Sequence, residues 1–473
     1  MSIPEVTQTI SDGALGVLPP NASKVQVKLG VCSAGAPNTV YSFADAKLMQ
    51  DTIGRGPVVE AAAQVLNVAG GPVMIVPVLP SVVGSIGSTT LVGSGTATVT
   101  GGKALDRIVK IKIITGGALA TATFQVAIGS GAYGSTVTTG TPGTWSYRIP
   151  GAPLVVANFA VGTYVANDVF QINLDGSVTR TGSGTATLLD TSTAEPLDDY
   201  AVRVKIVTAG ALGAAVFQYS LDGGDNYSGQ ILVPSGGVYI IPNAGVKLTF
   251  SGTFVAADVY SIAVTGPSFS SSDVATAIDA LFADPRKWFL LHVVGKATSA
   301  ANAATMAGAV DAKMTTAETA FRYARALVEC PHDVDIGGSN TDSAAISAFA
   351  SYSNTRMSIA IGDAELVSPL TGRTERRSIG WSYAARLSAI APGESPAWVN
   401  RGALKGVASI YRDEAKVQAL NDQRFVTART IIGRQGYYIT DGKTMAVAGS
   451  DFGDITNCRV MDIACDTTRN ALL

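Results

Sequence analysis

One stretch of this chain occurs twice, near residues 93–176 and again near residues 182–265. Both copies begin with the same block, Gly-Ser-Gly-Thr-Ala-Thr, at residues 93–98 and 182–187. Further shared blocks follow in the same order in each copy. A period of about ninety residues is too long for a solenoid repeat, so the pattern predicts a small domain that is present in duplicate.

Both copies have the sequence pattern of β structure. Segments such as Arg107–Ile114 and Tyr200–Val207 alternate or are rich in β-branched and aromatic residues, and Gly, Pro and Thr turns separate them. Because a helical pattern is almost missing, each copy is predicted to be an all-β sandwich or barrel. Leu221–Asp225 resembles part of a calcium-binding loop, but the later ligands are missing, and a hairpin turn is the better interpretation.

The sequence on either side of the duplicate alternates between helix and strand patterns. Before it, a strand near 25–31, helices beginning at Ser42 and Pro57 and a strand near 73–78 are predicted. After it, a near-continuous apolar run, 288–295, is typical of a strand that is buried on both faces of a sheet. We therefore predict a multidomain protein with an α/β core split in sequence, into which the two tandem duplicated all-β domains are inserted.

The pattern changes place the predicted boundaries. Residues 81–92 are interpreted as a linker, and Asp441-Gly442 as the turn of a C-terminal β-hairpin. The predicted parts are an extended N-terminal arm at 1–24, the first part of the core at 25–89, the inserted β domains at 90–178 and 179–268, and the second part of the core, with a C-terminal hairpin and helix, at 269–473.

Composition excludes several classes of protein. The net charge of −2 and the lack of a basic run give no reason to expect direct binding of nucleic acid. No apolar run is long enough for membrane insertion, and the N-terminus lacks the pattern of a signal peptide, so assembly in a cytoplasm is expected. Only 15% of the 473 residues are charged, which favours a surface covered by other subunits of a homo-oligomer.

The residues give little support for catalysis, a metal site or a cofactor. The two histidines are His292, in the apolar run, and His332, in Cys330–Asp335, the one segment with mixed ligand types. Zinc and iron sites need further His or Cys ligands at defined spacing, so His292 is interpreted as a core residue and Cys330–Asp335 as a turn. A serine hydrolase elbow and a phosphate loop are also missing, and we predict no enzyme, metal or cofactor.

Basic residues outnumber acidic ones between Arg373 and Arg434. Two interpretations stay open: a solvated helical face with internal ion pairs, or a docking face for an acidic partner. The candidate residues for such a face are Arg412, Lys416, Arg424, Arg429 and Arg434.

Several segments together resemble the contractile tail sheath proteins of myovirus-type phages and related contractile injection systems. Together these segments cover most of the core. The segments are the N-terminal arm with Ile3, Pro4, Val6 and Leu15, then Lys28–Asn38, Gly54–Ala61, Gly252–Ile262, Trp288–Gly295, Gly436–Gly442 and Gly449–Phe452.

The resemblance implies a structural subunit of the virion tail sheath, which assembles in the host cytoplasm. Such subunits stack as hexameric rings in a helical sleeve around an inner tail tube, and the sleeve contracts to drive the tube through a cell envelope during genome ejection. The implied partners are further copies of the chain, the tail tube protein, and the baseplate and tail terminator proteins. Residues 1–24 suit the exchange of a strand between subunits, and the basic face suits tube docking.

Two rival functions stay open at this point. A phage or cell-surface fibre or adhesin would use the β domains as carbohydrate-binding modules. A hydrolase with an unrecognised site would need a cluster of titratable residues, for which His332 and Asp333 are the candidates.

Overall fold

The structure, a computed structural model, describes residues 24–141, 145–189, 195–295, 297–333, 338–411 and 418–472. The fold is mostly β, with several small sheets and a few helices, and it has more than one domain. Along the chain an α/β region comes first, a region of β-strands follows, and a second α/β region ends the described chain.

The first α/β region has two helices between strands. Its elements are β1 (Gln26–Gly30), β2 (Tyr41–Phe43), α1 (Ala46–Ile53), α2 (Pro57–Ala69) and β3 (Val73–Pro77). The helix predicted to begin at Ser42 begins at Ala46 instead, because β2 pairs with β3 as an antiparallel strand. The side chain of Asp45 caps α1 by accepting an N–H of its first turn. The prediction that α2 begins at Pro57 is confirmed, since the fixed φ of proline suits the first helical position.

The middle region consists of short strands. They are β4 (Ser85–Val92), β5 (Thr98–Lys103), β6 (Val109–Thr115), β7 (Thr123–Ile128), β8 (Val137–Thr138), β9 (Trp145–Arg148), β10 (Val156–Phe159), β11 (Val169–Ile172), β12 (Val178–Thr181), β13 (Leu188–Leu189), β14 (Tyr200–Thr208), β15 (Val216–Ser220), β16 (Ile231–Leu232), β17 (Val238–Ile241), β18 (Val246–Ser251) and β19 (Val259–Thr265). Residues 81–92 are therefore not only a linker, because β4 pairs with β19.

These strands form two units with the same strand arrangement. In β unit 1, made of β6 to β13, one sheet has the order β12-β11-β6-β7-β8 and the other the order β13-β10-β9. In β unit 2, made of β4, β5 and β14 to β19, the orders are β4-β19-β14-β15-β16 and β5-β18-β17. Each unit buries its own apolar cluster, with Phe124 and Phe159 in unit 1 and Phe217 and Phe250 in unit 2 at matching places.

The strand pairing departs from the predicted boundary between residues 178 and 179. β12 and β13 lie after that boundary but complete unit 1, while β4 and β5 lie at the start of the first copy but complete unit 2. The cause is local: the short turn after β11 folds β12 straight back onto β11. Residues 93–98 and 182–187 have the same sequence, so the sequence of these opening blocks cannot show which unit each block belongs to.

The second α/β region contains the remaining elements. They are α3 (Ser271–Phe282), β20 (Leu290–Val293), α4 (Ala300–Thr319), β21 (Arg325–Cys330), α5 (Asp342–Phe349), β22 (Met357–Ile361), β23 (Asp363–Val367), β24 (Thr374–Ser378), α6 (Ile379–Ala389), β25 (Val407–Ile410), α7 (Gln418–Asp422), β26 (Ala428–Ile431), β27 (Arg434–Ile439) and α8 (Ile455–Leu472). The C-terminal hairpin is β26–β27 and turns at Ile432-Gly433. The prediction of a hairpin turn at Asp441-Gly442 is wrong, because these residues follow β27 and pack against α8.

One six-stranded sheet joins the two α/β regions. Its order is β2-β3-β1-β20-β21-β22, and all neighbours are parallel except β2 with β3. α3 and α4 cover one face of this sheet, and α2 and α6 cover the other. Because both faces are covered, β1, β20 and β21 are buried along their whole length, and their few polar residues, Lys28, His292 and Glu329 among them, are buried as well.

The β units meet the α/β regions through a few contacts. A small apolar cluster, Val31, Leu154 and Leu197, contains one residue from the first α/β region, one from unit 1 and one from the segment that leads into β14. Val82 and Ser268 exchange two backbone hydrogen bonds of 3.0 Å, so the chain leaves and rejoins the α/β regions at one place.

We expect Leu29→Ala to lower the free energy of unfolding by about 2 to 5 kcal/mol, because Leu29 is fully buried in the sheet and its removal leaves a cavity. Urea unfolding followed by circular dichroism measures this change. Leu48→Ala is the control: Leu48 is 58% exposed on α1, and its truncation should change the free energy by less than about 0.5 kcal/mol. Equal effects of the two changes would contradict the buried position of β1.

Candidate functional site

In the segment with mixed ligand types, Cys330 ends β21 and the described residues Pro331 to Asp333 follow it. Oδ1 and Oδ2 of Asp333 accept hydrogen bonds from the backbone N–H and side-chain amide of Asn340, each at 2.8 Å. His332 is buried, and its Nε2 lies 3.3 Å from Oδ1 of Asp342. The described residues contain no group of three or more His, Cys, Asp or Glu side chains placed to hold a metal ion.

The segment that resembles a calcium loop closes on itself. Oδ1 of Asp222 accepts the hydroxyl of Ser220 at 2.5 Å and the N–H of Asn226 at 3.0 Å, and Oδ2 accepts the Asn226 amide at 2.8 Å. Both carboxylate oxygens are therefore engaged within the turn, which agrees with the hairpin-turn interpretation.

Three buried polar side chains connect neighbouring strands of the six-stranded sheet. Lys28 of β1 lies with its Nζ 2.7 Å from Nδ1 of His292 in β20, and Nε2 of that ring lies 2.9 Å from Oε1 of Glu329 in β21. Oε2 of Glu329 also accepts the N–H of Gly295 at 3.3 Å. Lys28 and His292 have no solvent exposure, so a substrate cannot reach them.

We call Lys28, His292 and Glu329 the polar relay, and burial changes the pKa values of Lys28 and His292. Burial lowers the pKa of Lys28 to about 7, although the charge of Glu329 opposes the change. Burial and then the charge of Lys28 lower the pKa of His292 well below its usual value. A neutral His292 accepts at Nδ1 from Lys28 and donates from Nε2 to Glu329. The relay holds β1, β20 and β21 in one register, and we assign it a structural role.

A second buried cluster lies where the chain enters β unit 2. The guanidinium of Arg377 contacts the carboxylates of Asp198 and Glu375, and lies 3.4 Å from that of Glu60 in α2. The same guanidinium lies 4.9 Å from the ring centroid of Trp381. Arg377 thus ties the α/β regions to the segment leading into β14.

The cluster changes the acidity of its members. Burial raises the pKa of Glu60 to about 7, and the neighbouring Arg377 only partly opposes this change. The three carboxylates hold the pKa of Arg377 well above its usual value despite burial. Arg377 therefore stays charged, and Glu60 is the member that titrates near neutral pH.

A cleft of about 1880 Å³ lies between β unit 2 and the second α/β region. Arg376 on its wall is 2.6 Å from Oδ2 of Asp363, and its guanidinium lies 3.9 Å from the ring centroid of Tyr411. The Tyr411 hydroxyl donates to Glu365 at 3.1 Å. These four polar side chains of the cleft wall therefore contact one another.

The predicted site residues are only partly within the described chain. The arm residues Ile3, Pro4, Val6 and Leu15 lie outside it, as do Arg412 and Lys416. The guanidinium of Arg424 donates to the backbone carbonyls of Met445 at 2.8 Å, Ala446 at 2.6 Å and Tyr352 at 3.3 Å. Arg429 lies on β26 and is half-buried, whereas Arg434 lies on β27 and is exposed.

Exposed apolar side chains are frequent in the C-terminal part of the described chain. Ile432, at the turn of the β26–β27 hairpin, is fully exposed, and Val447 is 61% exposed. Trp398, Phe452, Val460, Met461 and Ile463 are exposed as well, and we call all seven the exposed C-terminal apolar residues. No described helix is long and apolar enough to span a bilayer.

Sequence reasoning missed both buried polar clusters. Lys28 and Glu329 interrupt apolar strand segments, and this was a usable signal, because a charged residue in a fully buried strand needs a partner. The partners of Arg377 come from three distant segments, and no local pattern points to them.

We expect Glu60→Gln to reduce the loss of stability that raising the pH causes. The folded-state pKa of Glu60 is about 7, above the usual 4.5, so its contribution is fully present below about pH 4.5 and is lost as the pH rises through 7. Between pH 5 and pH 8 the free energy of unfolding should fall by about 1 to 3 kcal/mol more in the unaltered protein than in the variant. Asp51→Asn, on an exposed side chain of α1, is the control. Parallel pH profiles for Glu60→Gln and the unaltered protein would contradict the assignment.

Comparisons with known proteins give several likenesses. No curated protein matches the chain. The fold is similar to the sheath tail protein Lin1278 from Listeria innocua, with 9% sequence identity and a TM-score of 0.42 over 95% of this chain and 76% of that chain. It is also similar to a sheath tail protein from Desulfitobacterium hafniense, with 8% identity and a TM-score of 0.40 over 98% of this chain and 82% of that chain.

A third likeness covers less of the chain. The helical sheath of the anti-feeding prophage in its contracted state has 15% identity and a TM-score of 0.30, over 45% of this chain and 55% of that chain. The family model described as "DUF2586, N-terminal domain" matches residues 3–443, which is most of the sequence. The chain therefore belongs to the DUF2586 family.

Proposed function

We propose that this protein is a non-enzymatic structural subunit of a contractile tail sheath. The observation that supports this best is the set of exposed C-terminal apolar residues, with Ile432 fully exposed and Trp398 52% exposed. A polymerising subunit needs apolar side chains that other subunits can cover, and Ile432 at the hairpin turn is placed for such a contact. The segments that resemble sheath proteins and the low fraction of charged residues agree with this function.

We further propose that the two β units are a tandem duplicate inserted into an α/β core that is split in sequence. Their matching strand arrangement and shared opening block support a common origin. The paired Val82 and Ser268 support an insertion, because both connections lie side by side. On this proposal the β units lie on the outside of the assembly, and the α/β regions make the contacts between subunits.

The proposed assembly is a helical sleeve of stacked hexameric rings around a tail tube, between a baseplate and a terminator, in a virion assembled in the host cytoplasm. Residues 1–24 would link neighbouring subunits by adding to a sheet edge. Arg434, which is exposed on β27, is the best placed of the described basic residues for contact with an acidic tube. Arg424 is less suited, because its guanidinium is held by backbone carbonyls. Contraction would then use rigid-body changes in subunit packing.

We expect the protein expressed alone to form sleeves or rings in negative-stain electron microscopy. Ile432→Asp should weaken assembly, because burying a charge at a contact costs about 2 kcal/mol or more, which is over tenfold in its equilibrium constant. Val161→Asp is the matched control, since Val161 is 75% exposed on β unit 1. Only monomers of the unaltered protein at high concentration, or equal effects of the two changes, would contradict the proposal.

We expect the α/β regions to fold and assemble without the β units. Residues 83–267 are replaced by Asn-Gly, because a two-residue turn closes the antiparallel pair of Val82 and Ser268. Arg377 keeps Glu60 and Glu375 as partners in this variant. Circular dichroism and electron microscopy should show a folded protein that still assembles. A variant that is unfolded would show that the β units are part of the core rather than an insertion.

A further inference from the structure

The consecutive strands β4 and β5 complete the two sheets of β unit 2, although unit 1 lies between them and the rest of unit 2 in the sequence. We call them the strand pair β4–β5. Its counterpart in unit 1, β12–β13, follows β11 after a short turn that is closed by hydrogen bonds between Asn173 and Ser177 and between Gly176 and Asn173. β4 instead pairs with β19, and 164 residues separate Ser94 from its partner Asp258. The strands that complete unit 1 therefore follow it directly in the sequence. The strands that complete unit 2 are separated from its other strands by the whole of unit 1.

A buried aspartate holds each strand pair at its Gly-Ser-Gly block. In unit 1, Oδ1 of Asp168 accepts the N–H of Ser183 at 3.0 Å, and Oδ2 accepts the N–H of Gly184 at 3.1 Å. In unit 2, Oδ1 of Asp258 accepts the N–H of Ser94 at 3.0 Å, but Oδ2 is buried without a hydrogen-bond partner. Both aspartates are 1% exposed, so the incomplete clamp in unit 2 weakens the hold on β4–β5.

β4, the edge strand of its sheet, also pairs irregularly and has exposed apolar side chains. The register between β4 and β19 is irregular near Ile262, whereas β11 and β12 pair without interruption. Val92 at the end of β4 is 70% exposed and Leu91 is 37% exposed. β4 lacks charged residues, so another copy of the strand meets no like charge in its place.

We propose that β4–β5, residues 85–103, is an exchangeable closing element, and that β unit 2 of one copy of the chain accepts this element from a second copy. The accepting surface is formed by β19 and β18, and Asp258 is the residue that recognises the Gly93-Ser94-Gly95 turn. An exchanged β4–β5 makes the same contacts with β19 and β18 as the chain's own β4–β5. Exchange therefore links two copies of the chain without changing the contacts inside unit 2. This inference is independent of whether the protein forms a sheath.

The connections on both sides of the element define what must move. Residues 78–84 precede β4, and residues 104–108 join β5 to β6. The second connection is held by hydrogen bonds from Ala104 to the Gly245 carbonyl at 2.9 Å and from Leu105 to the Leu174 carbonyl at 2.7 Å. Release of β4–β5 requires these contacts and the Asp258 clamp to open, together with the pairing of β4 with β19 and of β5 with β18. It also withdraws Ala97 and Val99 from the buried apolar cluster of unit 2, and an exchanged element restores both.

Disulfide trapping between full-length chains tests the exchange. Thr90 and Ser261 are directly opposite in the pairing of β4 with β19, which is close enough for a disulfide. One chain has Thr90→Cys and a differently sized chain has Ser261→Cys, both with Cys465→Ser, and the two are co-expressed and oxidised. We expect a disulfide-linked pair of chains on non-reducing denaturing electrophoresis, at least about tenfold above the control pair.

The control pair is the matching position in unit 1. Gln171 and Thr179 are opposite in the β11–β12 hairpin, and Gln171→Cys and Thr179→Cys on separate chains should give no linked product, because the hairpin closes locally. A single chain with both Thr90→Cys and Ser261→Cys should form an internal disulfide. If it does so while the separate chains stay unlinked, the exchange does not occur. If the single chain forms no disulfide, β4 does not lie beside β19 and the proposal falls as well.

The clamp can be tested in the same system. When folded chains are mixed, Asp258→Asn should make the linked product appear roughly tenfold faster, since a neutral acceptor holds the Ser94 N–H less strongly than a carboxylate. Asp168→Asn should leave the rate unchanged, because Asp168 holds β12–β13. Equal rates in the two variants would overturn the role of Asp258 as the point of release.

Discussion

The parallel pairing of β1 with β20 is the contact on which the rest of the structure depends. It places Lys28 beside His292, although 264 residues separate them in the chain. Closing so long a loop costs conformational entropy, but the cost rises slowly with loop length, and the helices on both faces of the sheet offset it by burying the central strands. The β units between the two strands bury apolar clusters of their own, and the chain segments on either side of them meet at Val82 and Ser268.

The buried polar groups contribute geometry more than net stability. Taking Lys28, Glu329 and the partners of Arg377 out of water is costly, and apolar side chains of similar size would often be as stable. The relay from Lys28 to Glu329 nevertheless permits one register of three strands, and the cluster around Arg377 permits one placement of the segment leading into β unit 2. A subunit that transmits force through rigid-body motion benefits from such placement, which agrees with the proposed sheath function.

Local sequence patterns predict helices and buried strands well. They fail for segments whose structure depends on pairing with a distant strand. Pro57 at the start of α2 and the apolar run that contains β20 were read correctly, because helix geometry and burial on both faces leave a direct mark on the sequence. A helix is predicted to begin at Ser42, but Ser42 lies in β2, which pairs with β3. Residues 81–92 are predicted to be a linker, but residues 85–92 form β4, since Ser, Gly and Thr are as frequent in loops as in an exposed edge strand. The C-terminal hairpin was predicted, yet its turn lies at Ile432-Gly433 and not at Asp441-Gly442.

Composition and periodicity are sufficient to predict a multidomain chain with many β-strands and a few helices. They could not say which unit each opening block completes, because the two Gly-Ser-Gly-Thr-Ala-Thr blocks are identical and fit either unit. Chain connectivity settles this: the short turn after β11 commits β12–β13 to unit 1 and leaves β4–β5 for unit 2. The same holds for the buried clusters around His292 and Arg377, whose members meet only when distant segments pack together.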